Sequence, residues 1–387
     1  MTAAPLRIVY LSNSVALGGM ETHLVDLAVG MAAAGHTVCA VLPELSQLDP
    51  VARRLDGGGV ETRRIDLIGD SSAARLASNW SRLAAYLRRC RPDVVHQHRT
   101  GPYHGKWACL AARAARAPVV VATEHQQAFR LAGPARLANA AADRLLDAVI
   151  TVSEHDRQTQ LMWSGRPPDK IVMIHNGVDL DQFSPPGPDA VAAARARLGI
   201  GRTAPVAGTA ARLHAQKGLL HLLRCLPALR PAWPDLEILI AGDGPERDRL
   251  EQEARSLGVD RQVRFLGFRA DVRDVIAATD VCVYPSEWEP LGISAVEAQA
   301  CAKPVVASRV GGLQEVVADG VTGLLVAPAD PAALAAALAR ILGDPELGRR
   351  MGRAGRARAE AMFSRPAMVS QMQALYRRLL AARAAGG

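Results

Sequence analysis

Lysine is nearly missing from this 387-residue chain. Only Lys106, Lys170, Lys217 and Lys303 occur, which leaves 42 of the 46 basic residues as arginine. Aromatic residues are also scarce, at 4%. Nucleic-acid surfaces interleave basic side chains with exposed aromatics, and here the arginines are spread out, so that class of partner is excluded. The six cysteines form no CxxC pair. They read as small buried hydrophobes of a reducing compartment and exclude a disulfide or zinc framework. No stretch approaches the roughly 20 apolar residues of a membrane span. The start, MTAAPLRIVYLSNS, lacks the charged opening and long apolar centre of a signal peptide. A cytosolic protein is expected, one that at most touches the inner face of a membrane.

What is present is apolar mass: 49% hydrophobic residues over this length argue for two cores of similar size. The net charge of +8 predicts an anionic partner without saying which. Short, continuous apolar runs alternate with amphipathic stretches, the pattern of parallel strands covered on both faces. In the first half the strand candidates, most of them such runs, are 7–12, 37–42, 62–66, 93–97, 118–123, 148–152 and 170–175, with helices such as 19–34 and 73–90 between them. Phe183-Ser-Pro-Pro-Gly-Pro-Asp189 then breaks the pattern as a linker or hinge. After it the rhythm restarts with runs at 205–209, 236–241, 263–266, 281–284, 304–308 and 324–327. The fold class is therefore α/β, two doubly wound Rossmann-like halves. The expected domains are 1–184, 185–365 and a C-terminal helix over 366–387 that packs back on the first. Arginines on that helix leave a second option, a helix lying on a membrane. Ligands of such sheets bind outside the carboxyl ends of the strands, so the site is expected in a cleft between the halves.

Four stretches carry chemistry. Gly18-Gly19-Met20-Glu21 follows the first strand, where bare glycines admit a ligand and the next helix aims its amides at an anion. It is no dinucleotide fingerprint, because no third glycine follows. Gly208 to Gly218 carries Arg212 and Lys217 in a strand-to-helix loop, a forked cation and a point cation suited to a diphosphate. Pro285 to Ala298 places Glu289 before Pro290 and Glu297 in the helix that begins near Ile293, with Gly292 at its entrance. Pro290 disfavours helix at Glu289, so the two carboxylates sit at different levels of one site. They suit sugar or ribose hydroxyls; a hydrolase acid–nucleophile pair and two plain surface glutamates are the rival readings. Arg309-Val-Gly311-Gly312 repeats the strand, Gly-Gly, helix arrangement. His96-x-His98 has the spacing of a metal pair, but without a third ligand it reads as packing or an acceptor loop.

Together these stretches resemble the retaining glycosyltransferases of family 4, the group 1 glycosyltransferases of the glycosyltransferase B fold. Smaller marks agree: Thr123-Glu-His125, Asn176-Gly-Val-Asp179, Ala241-Gly-Asp-Gly-Pro245 and Asp319-Gly-Val-Thr-Gly323, with Glu289 and Glu297 matching a Glu-x7-Glu motif. The resemblance implies a hexosyltransferase acting on a nucleotide diphosphate sugar, UDP-linked, with retention and without a metal or other cofactor. It implies that Arg212 and Lys217 bind the diphosphate, that Glu297 holds the ribose and Glu289 the sugar. Amides near Leu291, Gly292 and Ile293 contact sugar or phosphate, Gly18 and Gly19 approach from the other domain, and His125 contacts the transferred sugar. The base is placed near Arg264–Phe268, with Phe268 against it. Pro290-Leu291 and Ala211 depart from the residues commoner at those positions. The hydroxyl-bearing acceptor is expected on Arg99, Tyr103, His104, Lys106 and Arg130. It is a lipid-linked saccharide, a polysaccharide precursor or a small aglycone such as an aminocyclitol. A nucleotide-sugar epimerase and a disaccharide phosphorylase share the fold and stand as alternatives.

Overall fold

Most of the continuous apolar runs become strands buried on both faces, whereas the edge strand Glu61–Arg64 is exposed or half-buried throughout. The computed structural model describes residues 4–15, 18–66, 73–99, 106–126 and 142–385. Two units emerge, one of residues 1–177 with 365–387, the other of residues 178–364. In the first, β1 (Arg7–Ser12), β2 (Thr37–Leu42), β3 (Glu61–Arg64), β4 (Val94–Arg99), β5 (Val119–Glu124), β6 (Ala148–Thr151) and β7 (Ile171–Met173) form one sheet. Its order is β3-β2-β1-β4-β5-β6-β7. In the second, β8 (Val206–Ala210), β9 (Glu237–Ala241), β10 (Val263–Gly267), β11 (Val281–Tyr284), β12 (Val305–Ser308) and β13 (Gly323–Val326) run in the order β10-β9-β8-β11-β12-β13. All the strand pairings are parallel. Helices cover both faces of each, as doubly wound sheets require.

The expected boundary at 184 moves to 177. Val178 donates its amide to Phe363 O at 2.8 Å, and Phe183 is buried. Arg356 Nη1 donates to the carbonyls of Leu180 and Phe183, at 3.2 and 2.9 Å. The Pro-Gly run at 183–189 is thus a loop within the second unit; breakers mark the end of an element, not the division of a core.

The C-terminal helix, Arg365–Ala385, belongs to the first unit. Met368, Val369, Met372, Leu375 and Tyr376 fill the core formed with Tyr10, Leu24, Leu27, Ala28 and Met31. A Cβ on Gly30 would stand 2.5 Å from Val369 Cγ2, so glycine lets the two helices touch. Arg377 donates to Ala4 O at 3.0 Å and Arg383 to Asp147 at 2.6 Å. This apolar face is spent on the core, which overturns the option that it lies on a membrane. No helix among the described residues is long and apolar enough to cross one. The cysteines are free, and all but the half-buried Cys90 are buried.

Candidate active site

Strand order reverses between β8 and β11 in the second unit, and the loops leaving β8, β11 and β12 meet there. Such switch points are where doubly wound sheets bind ligands. The loop after β11 is threaded between its two neighbours. Glu287 donates its amide to Gln216 O at 2.8 Å, and Gln216 Nε2 donates to Trp288 O at 3.1 Å. On the other side Gly312 donates its amide to Glu289 O at 2.9 Å. Close approach makes glycine obligatory on both flanks. A Cβ on Gly218 (φ +61°) would lie 2.0 Å from Pro285 O, and one on Gly311 (φ +47°) 2.0 Å from Glu289 O. These clamps bring Lys217 Nζ within 2.5 Å of Glu289 Oε2, which also accepts from Ser286 Oγ at 3.3 Å.

The turn into the helix Ile293–Ala300 is made by Gly292, left-handed at φ +95°, and no side chain caps it. The first amides of that helix stay available to an anion. Leu291 is buried beside it, and Glu297, in the second turn, is buried as well. Arg212 projects from the β8 loop and is exposed. Its backbone is held by the loop after β9: Ala211 donates to Ala241 O and Leu213 to Asp243 O, both at 2.9 Å. Phe268 follows β10 and is 62% exposed, an uncovered aromatic face; Arg264 is tied to Glu237 and to Leu198 O.

In the first unit the switch point lies between β1 and β4. Gly18 precedes the helix Gly19–Ala33 with no capping side chain, and both glycines are exposed. Gly18 has φ −177°, extended backbone that any residue adopts, and a Cβ there would meet nothing nearer than Glu21 Oε2 at 3.5 Å. Among the described residues nothing therefore requires glycine at position 18. His125 follows β5 and is half-buried. His98 Nδ1 is 3.0 Å from His125 Nε2, and the buried His23 lies beside both rings. Burial pushes the pKa of His23 down to about 3 and holds His98 and His125 well below the usual histidine value; neighbouring histidines add to this for the last two. The histidines gathered beside His98 are thus His23 and His125, while both ring nitrogens of His96 are engaged by Tyr376 and Thr123.

Arg99 is the clear correction among the acceptor-side residues. It is 1% exposed, with its guanidinium 3.3 Å from Glu124 and 3.4 Å from Asp143. β4 runs two residues beyond the 93–97 run, pairing Arg99 with Glu124, so the side chain enters the protein instead of a loop. Lys106 opens the helix Lys106–Ala114. Tyr103, His104 and Arg130 lie outside the described residues.

Residues 17–182 match the sequence profile of Glycosyltransferase Family 4, and residues 191–358 that of Glycosyl transferases group 1. A glycogen synthase of Mycobacterium tuberculosis is 32% identical over 379 residues, covering 90% of this chain and 88% of that protein. This chain belongs to the family 4 glycosyltransferases. A D-inositol 3-phosphate glycosyltransferase of Streptomyces coelicolor is 33% identical, covering 89% of this chain and 83% of its own. Anabaena HepE, solved in complex with UDP and glucose, superposes with a TM-score of 0.84 at 24% identity, over 96% of this chain and 100% of HepE. The glycosyltransferase B fold is shared.

The roles of three features of this glycosyltransferase escape sequence reasoning. Gly242 and Gly244 are pinned against the backbone of the Arg212 loop, where Cβ atoms would lie 1.9 Å from Ala211 O and 2.3 Å from Leu213 O. The repeated glycine of Ala241-Gly-Asp-Gly was the available signal. Arg166 binds the same two carboxylates as Arg99, at 3.2 Å to Glu124 and 2.8 Å to Asp143. His23 has no local mark: it sits inside a helix and is recognised only by its neighbours.

Proposed function

We propose that this glycosyltransferase moves a hexosyl group from a UDP-linked sugar to an acceptor hydroxyl, retaining the anomeric configuration and using no metal. The observation that carries the reading is the clamp around the β11 loop, which collects one cation–carboxylate pair, an exposed arginine and an uncapped helix start. Arg212, the Lys217 ammonium and the amides at Gly292–Ile293 stabilise the charge that develops on the departing diphosphate. Two cations, Lys217 held by Glu289 and Arg212 on its loop, do there what a bound divalent ion does elsewhere. Glu289 sets the position of Lys217 and accepts from sugar hydroxyls; Glu297 accepts from the ribose. Phe268 offers its open face to the base. Gly18 and Gly19, with the uncapped helix behind them, and His125 serve the sugar and the acceptor. The UDP complex of HepE favours a uridine nucleotide.

The test is direct. Purified protein is given UDP-glucose, UDP-N-acetylglucosamine or GDP-mannose with candidate acceptors, in EDTA, and the product anomer is read by proton NMR. Retained configuration and undiminished turnover in EDTA are expected. An inverted product sinks retention, and a covalent glycosyl-enzyme on Glu289 would make that carboxylate a nucleophile instead of a hydrogen-bond acceptor. Isomerised donor without acceptor, or a requirement for free phosphate, turns the assignment to the epimerase or phosphorylase.

One observation favours a membrane-borne acceptor. Trp107 and Leu110, three residues apart on the helix Lys106–Ala114, are 59% and 41% exposed. Residues at that spacing share a helix face, and tryptophan suits the membrane–water boundary. Flotation with anionic liposomes, lost in Trp107→Ala, supports this; no flotation of the wild type removes it.

A further inference from the structure

A ladder of rings stands behind His125. Residues two apart on a strand share a sheet face, so His96 and His98 of β4 project together. Their ring centroids are 4.6 Å apart with 20° between planes. His96 cannot turn: its Nδ1 is 2.5 Å from Tyr376 Oη of the C-terminal helix, and its Nε2 is 2.7 Å from Thr123 Oγ1. His98 stacked on it is held in turn. The next contact differs in kind. His98 and His125 have ring planes 18° apart and centroids 5.2 Å apart, with Nδ1 of the first 3.0 Å from Nε2 of the second. The rings therefore lie end to end, with two nitrogens pointing at each other.

Nitrogens of His23, His98 and His125 lie within 4.8 Å of one another, which raises a metal site. The facing geometry answers it. Zinc–nitrogen bonds are about 2.0–2.1 Å long, so an ion on this line would part the nitrogens to roughly 4 Å. The observed separation holds one proton.

Which ring owns that proton decides what His125 offers to substrate. Burial keeps both imidazoles neutral, so each carries a single N–H. If His125 donated, the proton of His98 would sit on Nε2, which is buried without a partner among the described residues. An N–H orphaned in this way pays its full desolvation, whereas a buried bare lone pair is the better tolerated fault. We infer that His98 donates from Nδ1 to His125 Nε2, which locks His125 as the Nδ1–H tautomer and presents a hydrogen-bond donor, not a base, to the sugar. His98 is thus a positioning residue, steadied through His96 by Thr123 and Tyr376. The consequence for catalysis rests on the reading that His125 faces the transferred sugar: His125 can then donate to a sugar oxygen but cannot take the acceptor's proton.

The test uses the full chain labelled with 15N-histidine. Long-range proton–nitrogen correlation, with His125 assigned by its loss in His125→Asn, should show His125 protonated at Nδ1 and bare at Nε2. A protonated Nε2 in the wild type overturns the inference, and this readout needs no activity. With donor and acceptor, His98→Phe should lower kcat by about tenfold, the worth of one hydrogen bond, while the donor KM moves less. His98→Gln, whose amide donates, should recover most of it. Equal activity in the two His98 variants refutes the positioning role. An inactive wild type would instead count against the proposed reaction and leave the tautomer measurement standing.

Discussion

Mild acid should loosen the N-terminal unit well before it touches the C-terminal one. His23, His96 and His98 are 1% exposed or less, and burial holds each far below its usual pKa. In the unfolded chain the same side chains titrate near 6.5. The sign follows: below 6.5 the unfolded state binds protons that the native state refuses, so stability is full above that pH and is lost as pH falls toward the depressed native values. Each such group costs about 1.4 kcal/mol per pH unit, so three together remove about 4 kcal/mol between about pH 7.5 and about pH 5.5. His36, lowered by burial and by Arg377, pushes the same way. The carboxylates with lowered pKa, Asp271, Asp319 and Glu346, titrate below this window and belong to the other unit. That unit contains only His214 and His221, neither of them buried, and serves as the internal control. A total of about 4 kcal/mol is a large part of an ordinary domain's stability. Urea titrations read by hydrogen exchange, comparing peptides of β4 and β5 with those of β8 and β11, measure it. His23→Phe should reduce the pH dependence by one proton. Equal stability of the N-terminal unit at both pH values, or an equal fall in both units, would refute the reasoning.

Other substitutions separate chemistry from architecture. Lys217→Ala and Glu297→Ala should each lower turnover by about 10²–10³-fold, the usual loss of one charge-stabilising group, with unchanged near-ultraviolet dichroism; wild-type turnover in either purified variant would remove it from the site. Arg99→Ala strands Glu124 and Asp143 with one buried cation and should cost about 3–5 kcal/mol in urea, with no effect specific to the acceptor. Gly311→Ala drives a Cβ into Glu289 O at a positive φ and should cost about 1–3 kcal/mol while displacing Glu289, so stability and activity fall together. Gly18→Ala meets ordinary contact distances and should leave the urea midpoint unchanged.

The contrast between those two glycine turns shows what can be read from residues alone. Both read as strand, Gly-Gly, helix, yet Gly18 has an extended backbone with room for a side chain, while Gly311 and Gly312 are wedged against Glu289, Pro290 and Leu291. Sequence reports that a position tolerates close approach; only the neighbouring strand order says whether protein or ligand makes that approach. The strands were legible to within a residue or two because a parallel strand covered on both faces must be continuously apolar. Only the end of β4 escaped, for the converse reason. Its end, His96-Gln-His-Arg99, is polar yet buried, because its partners Thr123, Glu124, His125, Asp143, Arg166 and Tyr376 arrive from distant parts of the chain. A polar run reads as a loop until the groups that offset its desolvation are found. The same holds for the domain division, where proline and glycine mark the loop at 183–189 but the pairing of Val178 with Ser364 assigns it to a unit. Cations, carboxylates and glycines of the donor site stand in contiguous loops and declare themselves by type. The histidine ladder is built from four separate segments, so its hydrogen-bond order, and with it the donor character assigned to His125, emerges only from the folded chain.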